Sequence, residues 1–146
     1  MLTITKELTY AIDALLNPRL STFHWYETLA RGNEIEVNLK EEEASTSITM
    51  VIRVVISEDK KQIYIPNIFL PFSMRRTGIG KRLIAAIYEI SEKHSYSLLL
   101  VNMTSSFFER MKNRGAMVIR DDDCVQITRQ TNLDQKRAAN RVAGSD

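Results

Sequence analysis

The 146-residue chain predicts an α/β fold of the α+β kind, with a central mixed but mostly antiparallel sheet flanked by helices. Three observations carry that expectation. Apolar segments near residues 35–39, 48–56 and 63–70 follow one another across short polar turns and read as an antiparallel meander. The last of them leads through Arg75-Arg76-Thr77-Gly78-Ile79-Gly80 into an amphipathic helix. After that helix, Tyr96 to Asn102 is a continuous apolar run of strand length, which suits an interior strand covered on both faces.

The elements are justified in chain order. Leu8, Ala11, Ile12, Leu15 and Leu16 recur at helical spacing over Glu7 to Leu16, and Pro18 is expected to stop that helix. Ser21 or Thr22 can cap a second helix holding Phe23, His24, Trp25 and Tyr26, which runs out by Arg31-Gly32-Asn33. Ile35, Val37 and Leu39 alternate with polar residues, as in a half-buried strand. Glu41 to Ser47 makes a polar turn, Ile48 to Ile56 a second strand, and Ile63 to Leu70 a third. The helix that begins near Gly78 carries Ile79, Leu83, Ile87 and Ile90 on one face. Thr104 to Gly115 reads as a short helix, in which Ser106 and Glu109 have capping-box spacing and Asn113-Arg114-Gly115 is the stop. Ala116 to Arg120 and Cys124 to Thr128 form two strands joined across Asp121-Asp122-Asp123. Residues 1–128 are expected to form one domain. Residues 129–146 are polar and read as a surface helix or a disordered tail.

Composition narrows the function. With 20 basic and 18 acidic residues the net charge is +2, which gives no overall footprint for nucleic acid. The single cysteine, Cys124, excludes an internal disulfide and suggests a reducing compartment. The sequence shows no apolar run of membrane-spanning length and no signal-peptide pattern at Met1 to Glu7, so a soluble, cytoplasmic protein is expected. No metal site is expected, because Asp121-Asp122-Asp123 lacks the later Gly and Glu of a calcium loop.

The glycine-bearing turn is the functional signal. A turn that opens a helix aims backbone N–H groups outward at the positive end of the dipole, where phosphate oxygens bind. Gly78 and Gly80 permit φ > 0 and a close approach by a ligand. The Rossmann fingerprint needs a third glycine, and the P-loop pattern is absent. The spacing Arg-x-x-Gly-x-Gly between strand and helix resembles motif A of the GCN5-related N-acetyltransferases (GNAT), and the elements after it resemble motif B. The likeness covers about residues 62–128.

That resemblance implies a GNAT-like acyl-CoA N-acyltransferase fold, splayed at the strands around residues 63–70 and 97–102. It implies acetyl-coenzyme A or coenzyme A as cofactor, a small-molecule or peptide amine as acceptor, and a homodimer as an assembly common among members. Carried over by position, Ile68, Phe69 and Leu70 would pair with pantetheine. Arg75, Arg76, Thr77, Gly78, Ile79, Gly80 and Lys81 would hold the pyrophosphate, and Asn102, Ser105 and Phe108 would border the pantetheine. Pro66, which cannot donate to a ladder, is expected at a bulge that opens the gap.

The chain departs from the family pattern at its chemistry. Phe107 and Phe108 stand where many members carry a tyrosine acid, and the strand before motif A has no glutamate. No catalytic residue is assigned, and the polar candidates are Ser105, Asn102 and Tyr64. Two outcomes follow: acetyl transfer to a primary amine without those groups, or a coenzyme-binding module without transfer. Among single residues, His24 could line an acceptor pocket or face the core, and His94 suits a helix C-terminus. Cys124 suits a small core position. Glu41-Glu42-Glu43 could draw a cationic acceptor or be a solvated turn, and the basic tail could dock a partner.

Overall fold

The structure is a computed structural model that describes residues 2–23, 25–40, 47–71 and 74–133. Its elements, in order, are α1 (Thr3–Leu20), β1 (Trp25–Arg31), β2 (Glu34–Lys40), β3 (Thr49–Ser57), β4 (Gln62–Ile68), α2 (Ile79–Lys93), β5 (Ser97–Leu100), α3 (Ser105–Asn113), β6 (Met117–Arg120) and β7 (Cys124–Ile127). The seven strands form one sheet in the order β1-β2-β3-β4-β5-β7-β6. Every neighbouring pair is antiparallel except β4 and β5, which α2 joins as a parallel crossover. This is the mixed, mostly antiparallel sheet flanked by helices that the sequence predicts.

The core follows from alternation. Ile35, Val37 and Leu39 of β2, Val54 and Ile56 of β3, Ile63 and Ile65 of β4, and Leu98 and Leu100 of β5 are all buried, at strand period. They share one apolar cluster with Ile4, Leu8, Ile12, Leu16 and Leu20 of α1 and with Ile79, Leu83, Ile84 and Ile87 of α2. The two helices pack on each other, and Glu7 of α1 ties them at one end. Lys93 Nζ donates to Glu7 Oε1 at 2.8 Å, and His94 Nε2, at the C-cap of α2, lies 2.8 Å from Glu7 Oε2.

Several expectations are corrected. The second helix over Phe23 to Arg31 is instead the edge strand β1. Tyr26, Thr28 and Ala30 alternate with Trp25, Glu27, Leu29 and Arg31, and the turn at Gly32-Asn33 closes a two-residue hairpin with β2. Its inward side bonds α1, Tyr26 to Asn17 and Thr28 Oγ1 to Asp13 Oδ1 at 3.1 Å. One helix, not two, therefore precedes the meander among the described residues. Helix α1 starts at Thr3 and keeps Pro18 inside its last turn. Only one backbone bond is lost that near the end, so the helix survives to Leu20. The cap of α3 is Thr104, whose hydroxyl accepts from Phe107 N at 3.3 Å, and not the Ser106 and Glu109 pair. Gly115 does end that segment. It sits at φ 92°, and a Cβ there would lie 2.8 Å from the Gln130 carbonyl oxygen. Of the tail, Arg129 is held by Glu92 at 2.6 Å, while residues 134–146, like His24 and Glu41-Glu42-Glu43, lie outside the described residues.

Candidate functional site

The gap beside β4 begins at a counted irregularity. Val55 and Arg53 of β3 face Tyr64 and Asn67 of β4, so β4 spends one residue more than its partner, within the stretch holding Ile65 and Pro66. Pro66, with no N–H, stands at this bulge. The parallel ladder to β5 stops at the same level: its last pair is Ile65 with Leu100, followed by Val101 N donating to Ile65 O at 3.2 Å. Beyond that point the second strand leaves. Asn102 takes φ 54°, and Met103 N donates to Asp123 O at 3.3 Å, which draws the chain toward the β6–β7 turn. The splay therefore has a local cause on each side.

Past the bulge, the backbone of β4 is divided between two edges. Phe69 N donates to Val51 O at 2.7 Å, so its amide belongs to the β3 side. Strand alternation turns the N–H of Ile68 to the opposite edge, where β5 has ended. Of the three backbone positions expected to meet pantetheine, Ile68 has its amide on the open side and Phe69 does not. The carbonyl of Leu70 accepts from Arg75 Nε at 2.9 Å.

The turn after β4 ends in a left-handed glycine at the start of a helix. Arg76 is at φ 62°, and Gly78, the N-cap of α2, is at φ 81° and ψ 2°, a conformation glycine adopts without a steric cost. The carbonyl of Gly78 takes the first bond of the helix, from Arg82 N at 3.1 Å. Thr77 braces the turn, its hydroxyl donating to Met74 O at 2.6 Å while accepting from Ile79 N at 3.4 Å. The first turn of α2 holds no acidic residue, whereas Arg75, Arg76, Lys81 and Arg82 cluster about it. A helix dipole and four cations with no carboxylate in that turn favour a negative ligand.

Other expected site residues fall into two groups. Arg75 is tied down, its guanidinium carbon 5.1 Å from the Phe69 ring centre, so it fixes the exit of β4. Arg76 is exposed, and Arg82, which the motif left out, is exposed one turn later. Gly80 lies inside the helix, where a Cβ would sit 3.5 Å from Leu70 Cδ1, an ordinary contact, so its lack of a side chain is not required there. Asn102 and Ser105 are exposed where the second strand has left the sheet. Phe108, expected beside the pantetheine, is 1% exposed and belongs to the core with Met111. Its place on the inner side of amphipathic α3 decides this. The Tyr64 hydroxyl bonds Gln62, toward the start of β4 and away from the gap. Cys124 is buried, and burial pushes its thiol above the ordinary range, so it is a core residue.

No protein-family model matches the chain, and no curated protein does. Among solved structures it is similar to nourseothricin acetyltransferase, at 12% identity and a TM-score of 0.43, over 64% of this chain and 63% of that one. The chain thus aligns with somewhat under two thirds of that protein's length. It is also similar to BjaI, a CoA-dependent acyl-homoserine lactone synthase, at 13% identity and a TM-score of 0.47, over 92% of this chain and 81% of that one. A domain from Methanocaldococcus jannaschii matches at 12% identity and a TM-score of 0.40, over 84% of this chain and 92% of that one. Likeness at this level identifies neither activity nor substrate.

Proposed function

We propose that the chain is an N-acetyltransferase of the GNAT kind, which passes an acetyl group from acetyl-coenzyme A to a primary amine in a ternary complex. The observation that carries this reading is the juxtaposition of two features along one stretch of backbone. The bulge at Pro66 opens one edge of β4, and the acid-free, glycine-capped start of α2 follows within the same connection. A cofactor with an extended amide-bearing arm and a pyrophosphate needs both.

Acetyl-coenzyme A would supply the activated thioester. The Ile68 N–H would pair with the pantetheine arm, and the first-turn N–H groups of α2 with Arg76 and Arg82 would hold the pyrophosphate. Thr77 and Arg75 position that turn, one by bracing Met74, the other by fixing Leu70. In that complex the attacking amine would form the new C–N bond as the C–S bond breaks, and the amine proton would end on the thiol. Phe107 and Phe108 carry no hydroxyl for that proton, and in this reading water carries it instead. Losing a general acid costs typically 10²–10⁴-fold, or about 3–5 kcal/mol. Alignment alone can supply roughly 7–11 kcal/mol, so transfer survives the loss as a slower reaction. A small, buried, unreactive Cys124 is in keeping with a cytoplasmic setting.

The competing reading, a coenzyme-binding module without transfer, is favoured by one observation: the hydroxyl of Tyr64, a polar candidate on β4, bonds Gln62 toward the start of the strand and away from the gap. Incubation with acetyl-coenzyme A and a broad set of amines and peptides, read by thiol release and product mass, separates the two. Release of coenzyme A matched by an acetylated amine supports the enzyme. Binding of the coenzyme with no product from any amine supports the module.

A further inference from the structure

We infer that the guanidinium of Arg75 is the stacking platform for the adenine of coenzyme A, a role that rests on the coenzyme reading proposed above. Among the described residues, Arg75 is the guanidinium at the phosphate turn that is held at two points. Its Nε donates to Leu70 O at 2.9 Å, and its central carbon lies over the Phe69 ring, 5.1 Å from the ring centre. The side chain is nevertheless exposed, and the ring beneath it is 48% exposed. Pinning a long surface side chain in this way costs rotamer freedom. The result is a flat cation supported on one side by an aromatic ring and open to solvent on the other. A guanidinium plane so placed is a surface on which a base stacks.

Its place in the fold separates the two arms of the ligand. The pantetheine arm would use the in-plane edge of β4 through the Ile68 N–H. The Phe69 amide is spent on Val51 O at 2.7 Å, so this residue is paired as in a strand and its ring stands out of the sheet plane. Arg75 lies over that ring, off the pantetheine edge, and the turn that would hold the pyrophosphate begins at the next residue, Arg76. The nucleoside arm departs from those phosphates. Adenine is the one flat ring in coenzyme A, so a stacking surface there has a single partner.

The neighbouring arginines do not share these properties. Among the described residues neither Arg76 nor Arg82 has an aromatic ring against it, so both suit charge contacts to phosphate. Arg110 lies over Phe107, 5.7 Å from the ring centre, but the two are neighbours three residues apart on α3 and need no ligand to bring them together. The pair of Arg75 and Phe69 instead spans the connection from β4 to the phosphate turn.

Titration calorimetry with three ligands tests the inference: coenzyme A, dephospho-coenzyme A, which lacks only the ribose phosphate, and phosphopantetheine, which lacks the whole nucleotide. Arg75→Lys keeps the charge and removes the plane. It should weaken both adenine-bearing ligands by roughly 5- to 150-fold, the range for one stacked base, and leave phosphopantetheine unchanged. Phe69→Leu, which removes the ring under the guanidinium, should act on the same two ligands in the same direction and by less. Emission from etheno-coenzyme A, which reports on the base alone, should be quenched on binding wild type and less so on binding Arg75→Lys. Unchanged melting shows that both variants fold. An equal loss for all three ligands would assign Arg75 to shaping the turn, and a loss confined to coenzyme A would assign it to the ribose phosphate. Either result overturns the stack, as does full affinity in Arg75→Lys, while coenzyme binding by wild type still stands. Wild type that binds none of the three overturns the coenzyme reading and the stack with it.

Discussion

Phe108 shows how much rides on a single orientation. The motif resemblance sets it beside the cofactor, yet the side chain is 1% exposed and packs with the core. Phe108→Ala should therefore act on stability, with a loss of about 3–5 kcal/mol typical of a buried phenylalanine. Ser105→Ala, at an exposed position, should change stability little. Urea unfolding of both variants decides between the roles. A Phe108→Ala protein as stable as wild type but weakened toward coenzyme A would return the residue to the site. At Gly78 sequence and structure agree, since the Gly-x-Gly turn calls for a left-handed residue and φ is 81° there. Gly80 gave the same signal in the sequence but is an ordinary helical residue, because a motif does not say which of its glycines carries the strain.

Helix ends and strand ladders respond to charge and pattern at a larger scale. Glu7 joins α1 to the end of α2, and its carboxyl is held below the ordinary range, chiefly by the hydrogen bond from Lys93 and then by His94. Glu92 is lowered in the same way by Arg129 and then Tyr88. Both carboxyls are harder to protonate folded than unfolded. Their contribution is therefore fully present above the ordinary value of 4.5 and is lost as pH falls through the lower folded values. Melting temperature should fall across that acid range in wild type, and less steeply in the Glu7→Gln, Glu92→Gln double variant. Equal slopes would show that these pairs do not couple to folding. Strong periodicity made α2, β2, β3 and the β6–β7 hairpin legible in the sequence. The stretch from Phe23 to Arg31 was not, because an aromatic cluster after Ser21-Thr22 resembles a capped helix, and its strand period emerges only from pairing with β2. The extent of α1 was hidden by Pro18, whose cost is small in a last turn.

Across the whole molecule, one arrangement unites fold and site: a sheet that is continuous at one end and split at the other. The bulge at Pro66 ends the β4–β5 ladder, Asn102 turns the second strand aside, and α2 begins with a positive, acid-free turn beside the opening. The location of the split could be read from Pro66 and the Gly-x-Gly turn. Which amide faces it could not, since that depends on a one-residue register shift that moves Phe69 to β3 and Ile68 to the gap. Titration calorimetry with coenzyme A, on wild type and on Arg76→Ala, tests the site most directly. Binding at one site per chain is expected, weakened roughly 10- to 150-fold by Arg76→Ala, as befits a charge-assisted phosphate contact of roughly 1.5–3 kcal/mol. No binding by wild type, or equal affinity in the two proteins, would contradict a pyrophosphate held at the start of α2.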